Sequence, residues 1–381
     1  MQQVQCQSYN LNKRVIGNIT RVPQKPKERL DYVLVADDDS IEDHEGYAAV
    51  VIESGDSAEQ KNRFEGIPLA ICQDKNYRLA ENDIVSLEPN IKHISVLYEA
   101  QADHNCLFVT ERCNSRCVMC PQKPKPDSED YIEINNRIID LINPAPEYLT
   151  ITGGEPTLLG GDLIRLVEYC RKKLPETKLM ILTNAQKLKD RSIVEELAKV
   201  SQGYLAFAVP IYADVAFEHD RIVGVKGAFA NTISGCQNLA LYGMSVEIRV
   251  VILSMNYMRL LKIADFIYRN LTFNFHVAFM GLELQDLARD NLEQVWVDPY
   301  DYKSQLLEAC QFLFRRGMSV SIYNHQLCTI PKDLWPLCVK SISRWKNIYM
   351  PVCDNCKELE SCGGFFASAA IRHSDHILAI S

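Results

Sequence analysis

Along the first hundred residues, apolar positions come in short runs: RVIGNIT (14–20), DYVLVAD (31–37), YAAVVIES (47–54), IPLAIC (67–72), DIVSL (83–87) and ISVLYEA (94–100). Each is a strand's length, is rich in β-branched residues and ends at turn formers. The separators DDDSIEDHEG (37–46) and SGDSAEQKNRFEG (54–66) are polar, so loops between strands of a small β domain are expected. From Cys106 the pattern changes. CLFVT, EYLTIT, KLMILT, YLAFAVPIY, SVEIRVVIL, FHVAFMG and SVSIYN alternate with helical periodicity over 131–143, 161–174, 190–200, 228–242, 257–270 and 301–316. Such alternation predicts a parallel sheet wrapped by helices. Six strand–helix units are too few for a closed eight-fold barrel, so an incomplete (β/α)6 barrel is expected, with its site at the C-terminal ends of the strands. After SVSIYN the pattern gives way to a cysteine-bearing tail. The expected domains are 1–100 (β-rich), 101–320 (partial barrel) and 321–381 (tail).

The chain's 381 residues and 47% hydrophobic content suit a globular protein of two or three units. Its formal net charge of −8 offers no footprint for nucleic acid, which is disfavoured as a partner. No run approaches a membrane span, and the start MQQVQCQSYNLNKRVIGNIT lacks the marks of a signal peptide. A cytoplasmic location is expected, where cysteines serve metal binding or redox work more often than disulfides.

Three of the chain's 14 cysteines fall within eight residues: Cys113, Cys117 and Cys120, spaced C-x3-C-x2-C directly after the first sheet strand. Disulfides pair, while structural zinc and ordinary iron–sulfur clusters take four ligands. Three thiolates on one loop therefore leave a position open, and an open position is where a metal centre does chemistry. A zinc site completed by Cys106 or a distant cysteine is the alternative. The second strand ends in TITGGEPTL, whose paired Gly153 and Gly154 let backbone approach a ligand closely, with Glu155 able to accept from an ammonium group. LTNA closes the third strand. On SVEIRVVIL, Glu247 and Arg249 share one face, where charges must be paired or used. PQKPKPDSED (121–130) reads as a mobile, Pro-rich loop. The tail holds Cys328, Cys338 and the triplet Cys353, Cys356 and Cys362, spaced C-x2-C-x5-C. Zinc would suit that triplet almost as well as iron. Cys338 follows Trp335, Pro336 and Leu337 and reads as a core thiol, as do Cys6, Cys72, Cys170, Cys236 and Cys310.

The cysteine loop and GGEP, in that order about 30 residues apart, resemble the signature of the radical SAM (S-adenosylmethionine) superfamily. The resemblance implies a [4Fe–4S] cluster on Cys113, Cys117 and Cys120 whose fourth iron binds SAM, with SAM contacted by Gly153, Gly154, Glu155 and Pro156. It also implies SAM contacts by Thr183, Asn184 and Arg249. Met119 stands where the family usually has an aromatic, and is expected to lie against the adenine. Ala185 replaces a frequent glycine. The triplet resembles the SPASM and twitch extensions of peptide maturases, implying one auxiliary [4Fe–4S] cluster on Cys353, Cys356, Cys362 and an upstream cysteine, with Cys328 preferred over Cys338. Phe366 stands where a full SPASM domain would continue with cysteine.

A narrower resemblance, carried by LFVTERCNSRCVMC, GGEPTL, VEIRVVI, MGLE, SIYNHQLC, LWP, SISRWKN and CGGFFAS, is to the HxsC maturases of the His-Xaa-Ser system. It implies a peptide or small-protein substrate, a second radical SAM partner and an electron donor such as flavodoxin or ferredoxin. Tyr212, Glu283 and His325 are candidate acid/base or target-positioning groups, each with a packing alternative. A small-metabolite or nucleotide substrate and a non-catalytic iron–sulfur scaffold are the rival functions.

Overall fold

A computed structural model of the chain describes residues 2–36, 43–53, 62–73, 78–340 and 348–381. The separators 37–46 and 54–66 lie partly outside these residues, and SISRWKN (341–347) wholly so. The chain divides into two units. One comprises Met1–Cys106 with Ile132–Pro146, the other Leu107–Tyr131 with Glu147–Ser381.

The first unit is a closed barrel of seven strands, β1 (Gln2–Tyr9), β2 (Val15–Thr20), β3 (Tyr32–Val35), β4 (Ala49–Ile52), β5 (Leu69–Cys72), β6 (Ile84–Leu87) and β7 (His93–Tyr98), ordered β1-β5-β4-β3-β2-β6-β7. Closure leaves no strand edge open to stray pairing. The six predicted runs are β2 to β7. The first strand, QQVQCQSY, escaped notice because it is mostly polar, yet it alternates: Val4 and Cys6 enter the barrel core while glutamines separate them.

Helix α1 (Tyr131–Leu141) falls between the first two sheet strands, as predicted, but residues 132–146 belong to the first unit. The reason is polar as well as apolar. Arg137 pairs with Asp31 at 2.8 Å and reaches the Ile16 carbonyl, and Asn18 donates to the Leu141 carbonyl at 3.1 Å. A boundary at residue 100 therefore omits one part of this unit.

The second sheet comprises β8 (Asn105–Phe108), whose last two residues open the second unit, and, within that unit, β9 (Tyr148–Thr152), β10 (Lys178–Leu182), β11 (Leu205–Pro210), β12 (Ser245–Val251), β13 (His276–Met280), β14 (Val320–Tyr323) and β15 (Cys338–Val339), hydrogen-bonded in consecutive order. The pairings from β9 to β15 are parallel. The sheet thus has eight strands: the seven read from the sequence and the two-residue β15, which the tail adds beside β14. Helices α2 (Gly161–Lys173), α3 (Arg191–Ser201), α4 (Ala216–Val223), α5 (Ala228–Leu241), α6 (Leu260–Asn270) and α7 (Lys303–Phe314) connect its strands. Each turns an apolar stripe inward, as α6 does with Leu260, Ile263, Ala264 and Ile267. Parallel pairing puts the C-terminal ends of β9 to β14 along one edge, where their loops meet. No described helix is long and apolar enough to cross a membrane.

Candidate functional site

The cysteine loop leaves β8 at Val109, whose N–H donates to the Thr152 carbonyl at the end of β9. Its backbone is fixed along its length: Arg116 and Val118 donate to the carbonyls of Val223 and Ile222 (both 3.0 Å), Asn291 donates to the Val118 carbonyl, and Leu287 N–H to that of Cys120. Gly224 is needed beside it, since its φ is +72° and a Cβ there would stand 2.7 Å from the Arg116 carbonyl. The three thiols are half-buried and within one another's electrostatic reach. Burial first, and then its two neighbours' charges, push Cys117 up to about 12; burial raises Cys113 to about 11. Ionising all three without a cation is costly.

The Pro-rich segment that follows is strapped down, contrary to the expectation of a mobile loop. Asp127 accepts from Thr110 Oγ1 at 2.8 Å, from Glu111 N at 2.6 Å and from Arg112 Nε at 2.7 Å, and Lys125 pairs with Glu111 at 2.9 Å. Four charge-assisted bonds outweigh the turn propensity of three prolines. Together with Arg112 to Arg116, this segment lines a cavity of about 820 Å³ into which Cys113 opens.

The two glycines after β9 serve the protein's own backbone. A Cβ on Gly153 would meet the Thr110 carbonyl at 2.6 Å and one on Gly154 the Arg112 carbonyl at 2.2 Å; Gly154 N and Glu155 N donate to those same carbonyls. The strand-end loops of β8 and β9 are thus knitted together. Glu155 sits behind the knit, only 1% exposed. Its carboxylate accepts from Thr157 N (3.0 Å), Thr157 Oγ1 (2.5 Å), Thr183 Oγ1 (2.6 Å) and Asn184 N (2.7 Å). The group expected to meet a ligand's ammonium is engaged with the loop after β10, and burial holds its pKa above the usual range despite those bonds. Pro156 is buried and opens the short turn that follows.

Thr183 is likewise spent, on Glu155 and on Ala185 N. Asn184 faces the cysteine loop, donating through Nδ2 to Asn114 Oδ1 at 2.7 Å, with Ser115 Oγ at 3.3 Å and Cys113 Sγ at 3.9 Å. Gln186 adds a bond to Ser115 Oγ at 2.8 Å. Ala185 takes φ +58°, a left-handed conformation, which explains why glycine suits the position.

Met119 lies in a buried cluster with Tyr212, Ile222, Val223 and Leu253. The loop's apolar side chains turn toward α4, and Met119 packs there with them. Tyr212 belongs to the same cluster. It is fixed by the backbone, its N–H donating to His219 Nδ1 and its carbonyl accepting from Asn256, and its ring stands close enough to the three thiols for their charges to raise its pKa after burial has done so. Glu283 is half-buried in the loop after β13 and accepts from Gln285.

On β12, Glu247 and Arg249 pair with each other, Nε to Oε1 at 2.6 Å. The carboxylate also meets His276 Nδ1 at 3.0 Å, and His276 Nε2 meets Ser321 Oγ at 2.9 Å. Arg249 keeps one Nη near Met180 Sδ. His276 and Ser321 went unread because no pattern along the chain reveals which residues adjacent strands bring side by side.

The tail's cysteines gather around the end of β14. Gln326 donates to the Gly364 carbonyl at 2.7 Å, Ile348 and Phe365 form a bridge, and Tyr349 donates to the Cys362 carbonyl at 2.9 Å. Cys328 comes near enough to Cys362 and Cys353 to feel their charges. Cys338 also feels Cys362, but its thiol donates to the Leu334 carbonyl and burial pushes it up to about 12. Phe366 lines a small cavity with Trp296 and Arg372. His325 is locked: Nδ1 donates to the Tyr323 carbonyl and Nε2 accepts from Tyr302, both at 2.8 Å, so burial keeps it neutral with a pKa lowered to about 4. Both ring nitrogens have protein partners, the arrangement expected of its packing alternative.

Residues 107–267 match the family model of the Radical SAM superfamily. This segment is a radical SAM domain. An Fe-coproporphyrin III synthase of Methanosarcina barkeri is 31% identical over 153 residues, 39% of this chain and 36% of that protein. A GTP 3′,8-cyclase of Sulfurimonas denitrificans is 27% identical over 218 residues, 54% of this chain and 66% of that one. The chain therefore spans less than two thirds of either relative. SuiB of Streptococcus suis, solved with its precursor peptide SuiA, aligns with a TM-score of 0.50 at 18% identity, over 59% of this chain and 50% of that chain. That likeness is one of fold.

The donor set of the radical SAM domain fits a three-thiolate cluster. Three thiols on one braced loop need positive charge to ionise, and Cys106, the zinc alternative's fourth ligand, is exposed in β8. Among the described residues, no three His, Cys, Asp or Glu side chains are drawn around a single ion. Asn114, Ser115, Gln186 and Asp127 are the domain's bracing residues that sequence reasoning missed.

Proposed function

We propose that the chain is a radical SAM enzyme that modifies side chains or Cα positions of a ribosomally made peptide or small protein, of the His-Xaa-Ser type. The observation that carries this reading is one unit holding two cysteine sets, a three-thiol loop knitted to GGEP and a second set at the end of β14. A cluster held by this loop would supply the one-electron chemistry that cleaves SAM reductively. The chain's own residues hold and orient. Cys113, Cys117 and Cys120 would ligate it; Asn184, Ser115 and Gln186 fix the loop; Gly153, Gly154 and the guanidinium of Arg249 would meet SAM. Cys328, Cys353, Cys356 and Cys362 hold an auxiliary cluster, for which Cys328's nearness to Cys353 and Cys362 speaks, as does the diversion of Cys338 to Leu334. A flavodoxin or ferredoxin would deliver the electron, a second maturase would share the target, and the cytoplasm is the fitting compartment.

A second reading, a nucleotide or small-metabolite substrate, is favoured by the match to a GTP 3′,8-cyclase. Two measurements decide. Reduced, cluster-loaded protein should convert SAM to 5′-deoxyadenosine; its failure to do so would leave the scaffold reading. Co-expression with a small His-Xaa-Ser protein should shift that protein's mass. An unmodified target, with 5′-deoxyadenosine released in the presence of nucleotides instead, would favour the second reading.

A further inference from the structure

The segment beyond α7's partner strands ends in an irregular stretch, 372–381, whose course has no explanation in apolar burial: the Leu378 side chain is 55% exposed. The stretch is nonetheless held at defined points. Arg372 lies over the Trp296 ring at 4.6 Å, His376 stacks on Tyr300 with ring centroids 3.8 Å apart, and Asp375 N–H donates to Asp298 Oδ2 at 3.3 Å. From these anchors it runs to the second cysteine set. There Ile380 N–H donates to Cys356 Sγ at 3.4 Å, the Ile380 carbonyl accepts from Lys357 N–H at 2.9 Å, and the Leu378 backbone comes near enough to the Cys328 thiol to hold its pKa down against burial.

We propose that residues 377–381 cap the second cysteine set, their backbone N–H groups at Leu378 and Ile380 donating to the sulfurs of Cys328 and Cys356 and thereby setting the reduction potential of the auxiliary cluster. The inference rests on the reading that these cysteines hold a cluster. Hydrogen bonds to ligand sulfurs are one of the protein's levers on a cluster's potential, because they favour the more negative, reduced state. The first set takes its backbone bond from within its own loop, Ser115 N to Cys113 Sγ at 3.4 Å, beside a longer side-chain contact from Asn184. The second takes backbone bonds from residues remote in sequence, so its potential depends on a docked segment.

The test uses the full chain carrying Cys113→Ala, Cys117→Ala and Cys120→Ala, so that the remaining iron belongs to the second set. Leu378→Pro and Ile380→Pro each remove one N–H and are compared with Leu378→Ala and Ile380→Ala, which keep it. A reductive titration followed by electron paramagnetic resonance should give a lower midpoint for each proline variant than for its alanine counterpart. Equal midpoints overturn the proposal. Should a proline variant lose its iron, amide hydrogen exchange in the proline-free protein decides: residues 378–380 should exchange more slowly with the cluster loaded than without it, and equal exchange again overturns the cap. Absence of iron from the triple-alanine chain itself would instead refute the cluster.

Discussion

The two cysteine sets are built in opposite ways. The first occupies one loop, so covalent spacing places its thiols, and tertiary contacts serve mainly to brace them: Glu155, Asn184, Gln186 and the two glycines bind three strand ends into one frame. The second set draws on positions from 328 to 362, and there tertiary contacts must do the placing, through the Gln326–Gly364 bond, the Ile348–Phe365 bridge and the capping stretch. A contiguous set is robust and readable. A dispersed one gains a handle for tuning, at the cost of depending on every contact that assembles it.

The largest expected effect separates the sets altogether. Cys113→Ala, Cys117→Ala and Cys120→Ala together should abolish SAM cleavage and remove about half the iron, leaving the second cluster in place; full iron retention would mean the loop holds no cluster. Within the second set, Cys328→Ala should lose the auxiliary cluster while Cys338→Ala keeps it, as read by iron counts on the two single variants, and the reverse pattern would move the fourth ligand to Cys338.

The frame of the first set is tested through Glu155→Gln. An amide cannot accept from all four donors around it, so stability should fall by about 1.5–3 kcal/mol in denaturant titration; an unchanged midpoint would show the carboxylate is no brace. Each set also leans on one buried histidine, His219 behind Tyr212 and His325 beside the second set, both lowered to about 4 by burial. These pKa values are depressed, so the unfolded chain takes up protons first as pH falls, and stability is lost between about pH 6.5 and pH 4, by roughly 2 kcal/mol per histidine at pH 5. His325→Gln should flatten that slope in urea titrations at pH 7.5 and 5, and an unaltered slope would remove this histidine from the account. The smallest change should come from Ala185→Gly, which relieves a left-handed alanine and is expected to add about 1 kcal/mol; a loss of stability would show that the Ala185 methyl packs usefully.

Much of the first set was legible because its information is local. The C-x3-C-x2-C loop, the GGEP turn and the alternation of strands and helices all lie within short windows. What stayed hidden is what the fold brings together from afar. The brace that Glu155 makes to Thr183 and Asn184 was hidden because nothing in its neighbourhood reveals these partners across the sheet edge. The bond that holds His325 was hidden likewise, since the hydroxyl of Tyr302 comes from another element. Met119 was read from a family position, while its burial depends on α4. The Pro-rich loop followed turn chemistry until Asp127 found partners at the end of β8.

Helix α1 carries one more consequence, for the order in which the chain comes into being. The seven barrel strands leave the ribosome by Tyr98, but the helix that completes their unit is made only after the first cysteine loop. At ordinary synthesis rates of about 5–20 residues per second, that gap amounts to a few seconds. During this interval an unfinished barrel and three unbraced thiols emerge side by side, before GGEP exists to hold the loop. The loop's remaining braces, from Asn184 to Asn291, come later still, so the thiols wait longest for their frame, whereas a slow stretch of translation just past residue 146 would let the first unit close before β9 is made.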